Sequence, residues 1–135
     1  MNVLVDTSVW SLALRRVQPA PANLVHELRE LIREGRVVVI GAIRQELLSG
    51  VRGDKQFRVL RDHLRAFPDL EIATADFEEA ARLFNRCRSR GIQGSNTDFL
   101  MCAVASRADL AIFTTDEDFA SFGRVLPLKL HAPRS

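Results

Sequence analysis

Short apolar runs alternate along this chain with longer stretches whose apolar residues recur every three or four positions. That alternation suits a parallel sheet, because parallel strands must be joined by crossovers, and helical crossovers cover both of its faces. Asn2–Val5 and Val37–Ile40 read as strands, Glu71–Ala73 as a weaker one, Ala111–Thr114 as a stronger one and Val125–Leu128 as an edge strand. Helices are expected near 7–15, 22–34, 42–50, 54–66, 75–90, 97–107 and, briefly, 117–121. Leu24, Leu28, Leu31 and Ile32 make one helical stripe, which Gly35 closes. Phe57, Leu60, Leu64 and Phe67 make a second, with Arg58, Arg61 and Arg65 opposite, and Phe77, Ala80, Ala81 and Phe84 a third. The segment Gln18–Ala22, with Pro19 and Pro21, reads as a loop between helices. The fold class is therefore α/β: a three-layer α/β/α sandwich around a mainly parallel sheet of about four to five strands. Residues 1–135 read as a single domain, with 131–135 expected to fray.

Composition narrows the function classes. A hydrophobic share of 47% and a charged share of 27% are those of a soluble globular protein. No apolar run approaches the roughly 20 residues of a membrane span. The apolar N-terminus is broken by Asp6 and has no basic residue before it, unlike a secretory leader. Cys87 and Cys102 both fall in helical stretches, so the expectation is a reduced, cytoplasmic protein without a disulfide framework. The net charge of +2 is mild, but of the 19 basic residues Lys55 and Lys129 alone are lysine. Arginine's planar fork suits phosphate, and a GC-rich genome would give the same bias.

The polar residues that stand out are acids. Asp6 ends the first strand, and Asp116 and Asp118 follow the strand over Ala111–Thr114. Ligands of open α/β sheets gather at those carboxyl ends. Asp98 sits in the first turn of an apolar helix, where the helix dipole favours it and Asn96 or Thr97 would cap. Glu46 shares a helix face with Ile43 and lies next to Leu47, and is expected to point inward. Each has a structural explanation of its own: a cap for Asp6, a dipole partner for Asp98, an ion pair with Arg44 or Arg52 for Glu46. Of Asp116 and Asp118, the first lies nearer the strand. Taken together, converging carboxylates without histidine or cysteine call for a hard cation such as Mg²⁺ or Mn²⁺, which points to metal-assisted phosphodiester chemistry.

Other chemistries lack their residues. There is no phosphate-binding G-x-x-x-x-G-K-[ST] loop and no G-x-S-x-G elbow, and His26, His63 and His131 are isolated. A dehalogenase-like phosphatase needs a second acid two residues after Asp6, where Ser8 stands; a receiver domain needs a lysine after a late strand.

In the segments Val3-Leu4-Val5-Asp6-Thr7-Ser8, Ile43-Arg44-Gln45-Glu46-Leu47, Asn96-Thr97-Asp98 and Thr114-Thr115-Asp116-Glu117-Asp118-Phe119, the chain resembles PIN-domain ribonucleases, specifically the VapC-type toxins of type II toxin–antitoxin pairs. The ordered set spans nearly the whole chain. The resemblance implies a PIN-like sandwich and a Mg²⁺- or Mn²⁺-dependent endoribonuclease, forming a homodimer that a cognate antitoxin silences. It implies that Asp6, Glu46, Asp98 and Asp116 are the catalytic, metal-holding quartet, that Asp118 is an additional acid, and that Thr7 and Thr115 are supporting hydroxyls. Arg15, Arg44 or Arg52 would then hold the RNA backbone. The alternative is a PIN-like module that binds RNA or a partner without catalysis, and the presence of all four acids counts against it. Phe57, Leu60 and Leu64 form a candidate dimer or antitoxin contact.

Overall fold

The computed structural model describes residues 1–14 and 21–134. In chain order the elements are β1 (Val3–Val5), α1 (Thr7–Leu14), α2 (Ala22–Arg33), β2 (Val37–Val38), α3 (Gly41–Leu48), α4 (Asp54–Leu64), α5 (Thr74–Ser89), α6 (Asn96–Ala108), β3 (Ala111–Phe113) and α7 (Asp118–Phe122). Arg15 and the Gln18–Ala20 part of the expected loop lie outside the described residues.

All three strands are parallel, in the order β2-β1-β3. Val3, Leu4 and Val5 pair with Ala111, Ile112 and Phe113, and Val3 and Leu4 pair with Val37 and Val38 on the other side. β1 and β3 are apolar throughout and fully buried, as strands covered on both faces must be. The helices flank the sheet in two groups: α1 with α2 and α3, and α3 with α4; separately, α5 with α6. Trp10, at the centre of α1, is buried and meets Phe67 edge-on at 5.4 Å. No helix among the described residues is long and apolar enough to cross a membrane.

Among the described residues the sheet has three strands rather than four or five, and the two weakest sequence signals account for the difference. Neither Glu71–Ala73 nor Val125–Leu128 forms a strand. Single parallel bridges stand nearby instead, Val39 with Asp69 and Ile112 with Leu130. The backbone groups of the expected strands are used elsewhere. The Ala73 N–H donates to Asp76 Oδ2 at 2.9 Å, starting α5, and the Glu71 carbonyl accepts from Arg107 Nη2 at 3.2 Å. Pro127 has no N–H to give a ladder, and Leu128 turns back to donate to the Leu126 carbonyl at 2.9 Å.

Of the residues expected to fray, 131–134 are tied down, and Ser135 lies outside the described residues. The Ile112 N–H donates to the Lys129 carbonyl and the His131 N–H to the Ile112 carbonyl, each at 2.8 Å, so the segment runs along the free side of β3. Beyond it, Arg134 meets Glu27 of α2, a carboxylate only 2% exposed. Glu27 accepts from the Arg134 backbone N–H at 2.8 Å, from its Nη2 at 2.7 Å and from its Nε at 2.9 Å, and His131 Nε2 stands 3.1 Å away. Arg134 also reaches Glu34 at 2.9 Å through each terminal nitrogen. Burial pushes the Glu27 carboxyl up, but Arg134 and His131 outweigh it and hold it at about 2.

Arg134→Ala would leave Glu27 buried without its guanidinium, and is expected to cost about 2–4 kcal/mol in denaturant unfolding. Because Glu27 titrates lower in the folded chain than in the unfolded one, its contribution is present above its unfolded pKa and fades as pH falls toward about 2. The Tm advantage of the wild type over Glu27→Gln should therefore shrink as pH falls from about 5 toward 2. An advantage that stays constant across that range would mean the carboxylate is not what the tail grips.

Candidate active site

The site begins where β1 hands over to α1. The Asp6 N–H extends the β1–β3 ladder by donating to the Phe113 carbonyl at 2.9 Å, while its carbonyl accepts from Val9 and Trp10 at 3.1 and 3.2 Å as α1 starts. Its side chain is not the expected cap. Among the described residues its carboxylate accepts no backbone N–H; its Oδ2 instead takes the hydroxyls of Ser8 and Thr114, both at 2.8 Å. Each hydroxyl oxygen in turn accepts an N–H from the loop after β3: Ser8 Oγ from Thr115 at 3.1 Å, Thr114 Oγ1 from Asp116 at 3.0 Å.

Asp98 arrives from the other helical group. Ser95, rather than Asn96 or Thr97, caps α6: its Oγ accepts the Asp98 N–H at 3.1 Å, and Asp98 Oδ2 accepts the Ser95 N–H at 3.0 Å. The turn into α6 is pinned by aromatic packing. A Cβ on Gly94 would stand 2.5 Å from the buried Phe122 ring and 3.0 Å from Phe99, so no side chain fits there without displacing them. Phe99 meets Phe122 at 4.8 Å and Phe84 at 5.5 Å, joining α5, α6 and α7 beneath the site. Burial pushes the half-buried Asp98 carboxyl up; the bonds with Ser95 oppose this, and the charges of Asp116 and Asp6 add to the rise. Asp98, from the second helical group, thus feels the charges of both Asp6 and Asp116, which stand at opposite ends of the chain.

Asp116 is half-buried, and its Oδ1 accepts the Asp118 N–H at 2.9 Å as α7 begins. Asp118 is exposed in the first turn of α7. Asp116, the nearer of the two to the strand, is the one whose charge adds to the rise at Asp98.

Glu46 departs from its expected orientation. Ile43 and Leu47 are buried and face the core, whereas Glu46 is exposed one step round the helix. It is not paired with Arg44. Its Oε2 accepts from Thr7 Oγ1 at 3.3 Å, and both residues line a cavity of about 450 Å³ with Ala42, Gln45, Ser49 and Thr97. Thr97 precedes Asp98, so Glu46 looks across this cavity toward the start of α6. Thr97 also borders a second cavity of about 460 Å³, lined with Phe77, Ala80, Ala81, Asn96 and Leu100, which holds no acid.

Several expectations resolve differently. Thr7 serves Glu46, and Thr115 contributes its backbone; the hydroxyls on Asp6 are those of Ser8 and Thr114. Ser8 stands two residues after Asp6, so its hydroxyl is a local signal. Thr114 reads as strand, and only the β1–β3 pairing reveals its place. Arg44 is not free for a substrate: it bonds Asp69 and the Leu64 carbonyl at 2.9 Å each, and the Phe67 carbonyl, clasping α3 to the end of α4. Arg52 is exposed. In the Phe57–Leu60–Leu64 stripe Leu64 is buried and the other two are half-buried. Cys87 and Cys102 are buried, with both thiols pushed up by burial, Cys102 to about 12, so neither offers a thiolate.

Among the described residues no three acid, histidine or cysteine side chains stand close enough to hold an ion between them. The donor set is nevertheless all oxygen, and the mutual repulsion felt at Asp98 is what a hard divalent cation would relieve. The residues fit such an ion in chemistry, with the carboxylates set wider than a closed chelate.

A family model described as the PIN domain matches residues 3–125, and the chain belongs to that family. Comparison with curated protein sequences finds no match. Among solved structures, the chain is similar to FitAcB from Neisseria gonorrhoeae, at TM-score 0.77 and 23% identity over 97% of both chains. It is similar to VapBC2 from Rickettsia felis, a structure bound to a DNA fragment from their promoter, at TM-score 0.78 and 17% identity over 97% of this chain and 98% of that one. PAE2754 from Pyrobaculum aerophilum matches at TM-score 0.58 and 19% identity, over 90% and 86%. Identities this low speak to the fold.

If Asp116 raises Asp98 through its charge, neutralising it must lower the Asp98 midpoint. Carboxyl carbon NMR titration of the metal-free protein should show Asp98 titrating at lower pH in Asp116→Asn than in wild type, with Asp118→Asn having the smaller effect. An unmoved Asp98 curve in Asp116→Asn would separate the two acids.

Proposed function

We propose that this chain is a VapC-type toxin: a metal-dependent endoribonuclease that acts in the cytoplasm as a homodimer and is silenced by a cognate antitoxin. The observation that carries the reading is the shared field of Asp6, Asp98 and Asp116, delivered by β1, α6 and the loop after β3 to one end of the sheet. A fold that clusters carboxylates at a cost in repulsion has a use for their charge. Membership of the PIN family and likeness in fold to VapBC2 and FitAcB support it.

In this reading Asp6, Asp98 and Asp116 hold Mg²⁺ or Mn²⁺, with Asp118 at the rim. Such an ion, when bound, would supply a lowered pKa for water and positive charge to offset that on the phosphate. Glu46, turned across the cavity by Thr7, orients the attacking water and takes its proton. The water oxygen bonds to phosphorus while the bond to the leaving ribose oxygen breaks. The wide spacing of the carboxylates favours one second reading, a PIN-like module that binds RNA or a partner without cutting it.

Incubation of purified, antitoxin-free protein with total RNA decides between them. Cleavage into discrete fragments is expected with Mg²⁺ or Mn²⁺, none with EDTA, and a loss of at least about 100-fold in Asp98→Asn. That variant should melt no lower than wild type near neutral pH, because burial and its acidic neighbours disfavour the charge it removes. Equal cleavage by the Asp98→Asn protein would end the nuclease assignment.

A further inference from the structure

The Ser8–Thr114 pair is built more tightly than anything else around the acids, and the chemistry proposed above gives it no task. Both hydroxyls donate to the same carboxylate oxygen, Asp6 Oδ2, at 2.8 Å. A hydroxyl has one proton, so each is fully committed as a donor. Each spends an acceptor position on a backbone N–H of the next loop, from Thr115 at 3.1 Å and Asp116 at 3.0 Å. The two oxygens stand 3.4 Å apart. The result is a closed bracket from α1 through Asp6 to the loop that carries Asp116. Among the described residues nothing bonds Asp6 Oδ1, so the bracket fixes the carboxylate with one oxygen occupied and the other free.

We propose that Ser8 and Thr114 are positioning residues that present Asp6 Oδ1 to a divalent cation and set its distance from Asp116. The inference rests on the nuclease reading for the cation, and on the hydrogen bonds alone for the bracket. Free to turn, Asp6 would offer either oxygen at any angle, and the loop after β3 would lose two of its anchors. Partners behind a metal ligand fix its orientation in this way, and losing one typically lowers metal affinity or activity about 10- to 100-fold. Thr114 is the more telling half, because it touches Asp6 and Asp116 at once.

The test uses Thr114→Val, which keeps the shape and removes the hydroxyl, Ser8→Ala, and Thr114→Ser, which restores the hydroxyl. Two readouts are taken on the full chain: Mn²⁺ affinity by calorimetry, and amide hydrogen exchange of the metal-free protein. Thr114→Val and Ser8→Ala should each weaken Mn²⁺ by about 10-fold or more, with Thr114→Ser within about three-fold of wild type. Without metal, the Asp116 amide should exchange faster in Thr114→Val, and the Thr115 amide in Ser8→Ala. Wild-type Mn²⁺ affinity in both hydroxyl-deleted variants overturns the positioning role while leaving the nuclease reading intact. Unchanged exchange overturns the bracket itself. A wild-type protein that binds no Mn²⁺ defeats the cation reading and, with it, the role proposed for Oδ1.

Discussion

The pairing of β1 with β3 is the contact from which the rest of the site follows. Residues more than 100 positions apart become neighbours because Val3, Leu4 and Val5 align with Ala111, Ile112 and Phe113, and the ladder runs one step further, to Asp6. That register sets Thr114 beside Asp6 and starts the loop that holds Asp116. A slip of one residue would turn every side chain of the strand to the opposite face. The slip is resisted because both strands are apolar and buried, each side chain larger than Ala111 contributing about 2 kcal/mol of burial. Apolar packing thus determines where the charges stand.

The same division of labour holds around Asp98. The helix behind it is buried without a break from Phe99 to Ala105, and a cluster of phenylalanines fills the space between α5, α6 and α7. Gly94 lets the backbone come close enough for that cluster to form. The acid at the end of this apolar rod is half-buried, and that burial raises its carboxyl, with the charges of Asp116 and Asp6 adding to the rise. Apolar groups hold the acids together where repulsion alone would spread them.

How far the chain could be read in advance follows the range of the interactions. Seven helices were legible, since period and stop signals are local. The inner strands were legible because continuous burial leaves an unbroken apolar run. What could not be read was decided at a distance. Glu27 lies on a helix that gives no sign of a C-terminal partner 107 positions away, so the tail was expected to fray. Glu46 is a single step from the buried stripe of Ile43 and Leu47, and a step that small separates core from cleft. The edge segments failed for a different reason: their backbone groups are taken by Asp76, Arg107 and a turn at Pro127, which a pattern of side chains does not record. The four acids themselves were legible as candidates because each sits at an element's end. Which hydroxyls serve them was not, because Thr114 looks like any strand threonine until β1 is laid beside it.

The geometry also gives the charge a thermodynamic meaning. A ligand that binds only the folded chain stabilises it in proportion to how much its affinity exceeds its dilution. Here the folded chain sets the charges of Asp116 and Asp6 against an Asp98 carboxyl that burial already raises, a repulsion the unfolded chain does not carry. A cation entering the site would remove that repulsion as well as forming its own bonds, so part of its binding free energy would be recovered folding free energy. The three acids are held by different means. Asp6 is held by the sheet and two hydroxyls and Asp98 by a capping box on a buried helix, while Asp116 sits on a loop whose side-chain anchors are Ser8 and Thr114. The bracket that fixes Asp6 is thus also what ties the loop carrying Asp116 to α1 and β1.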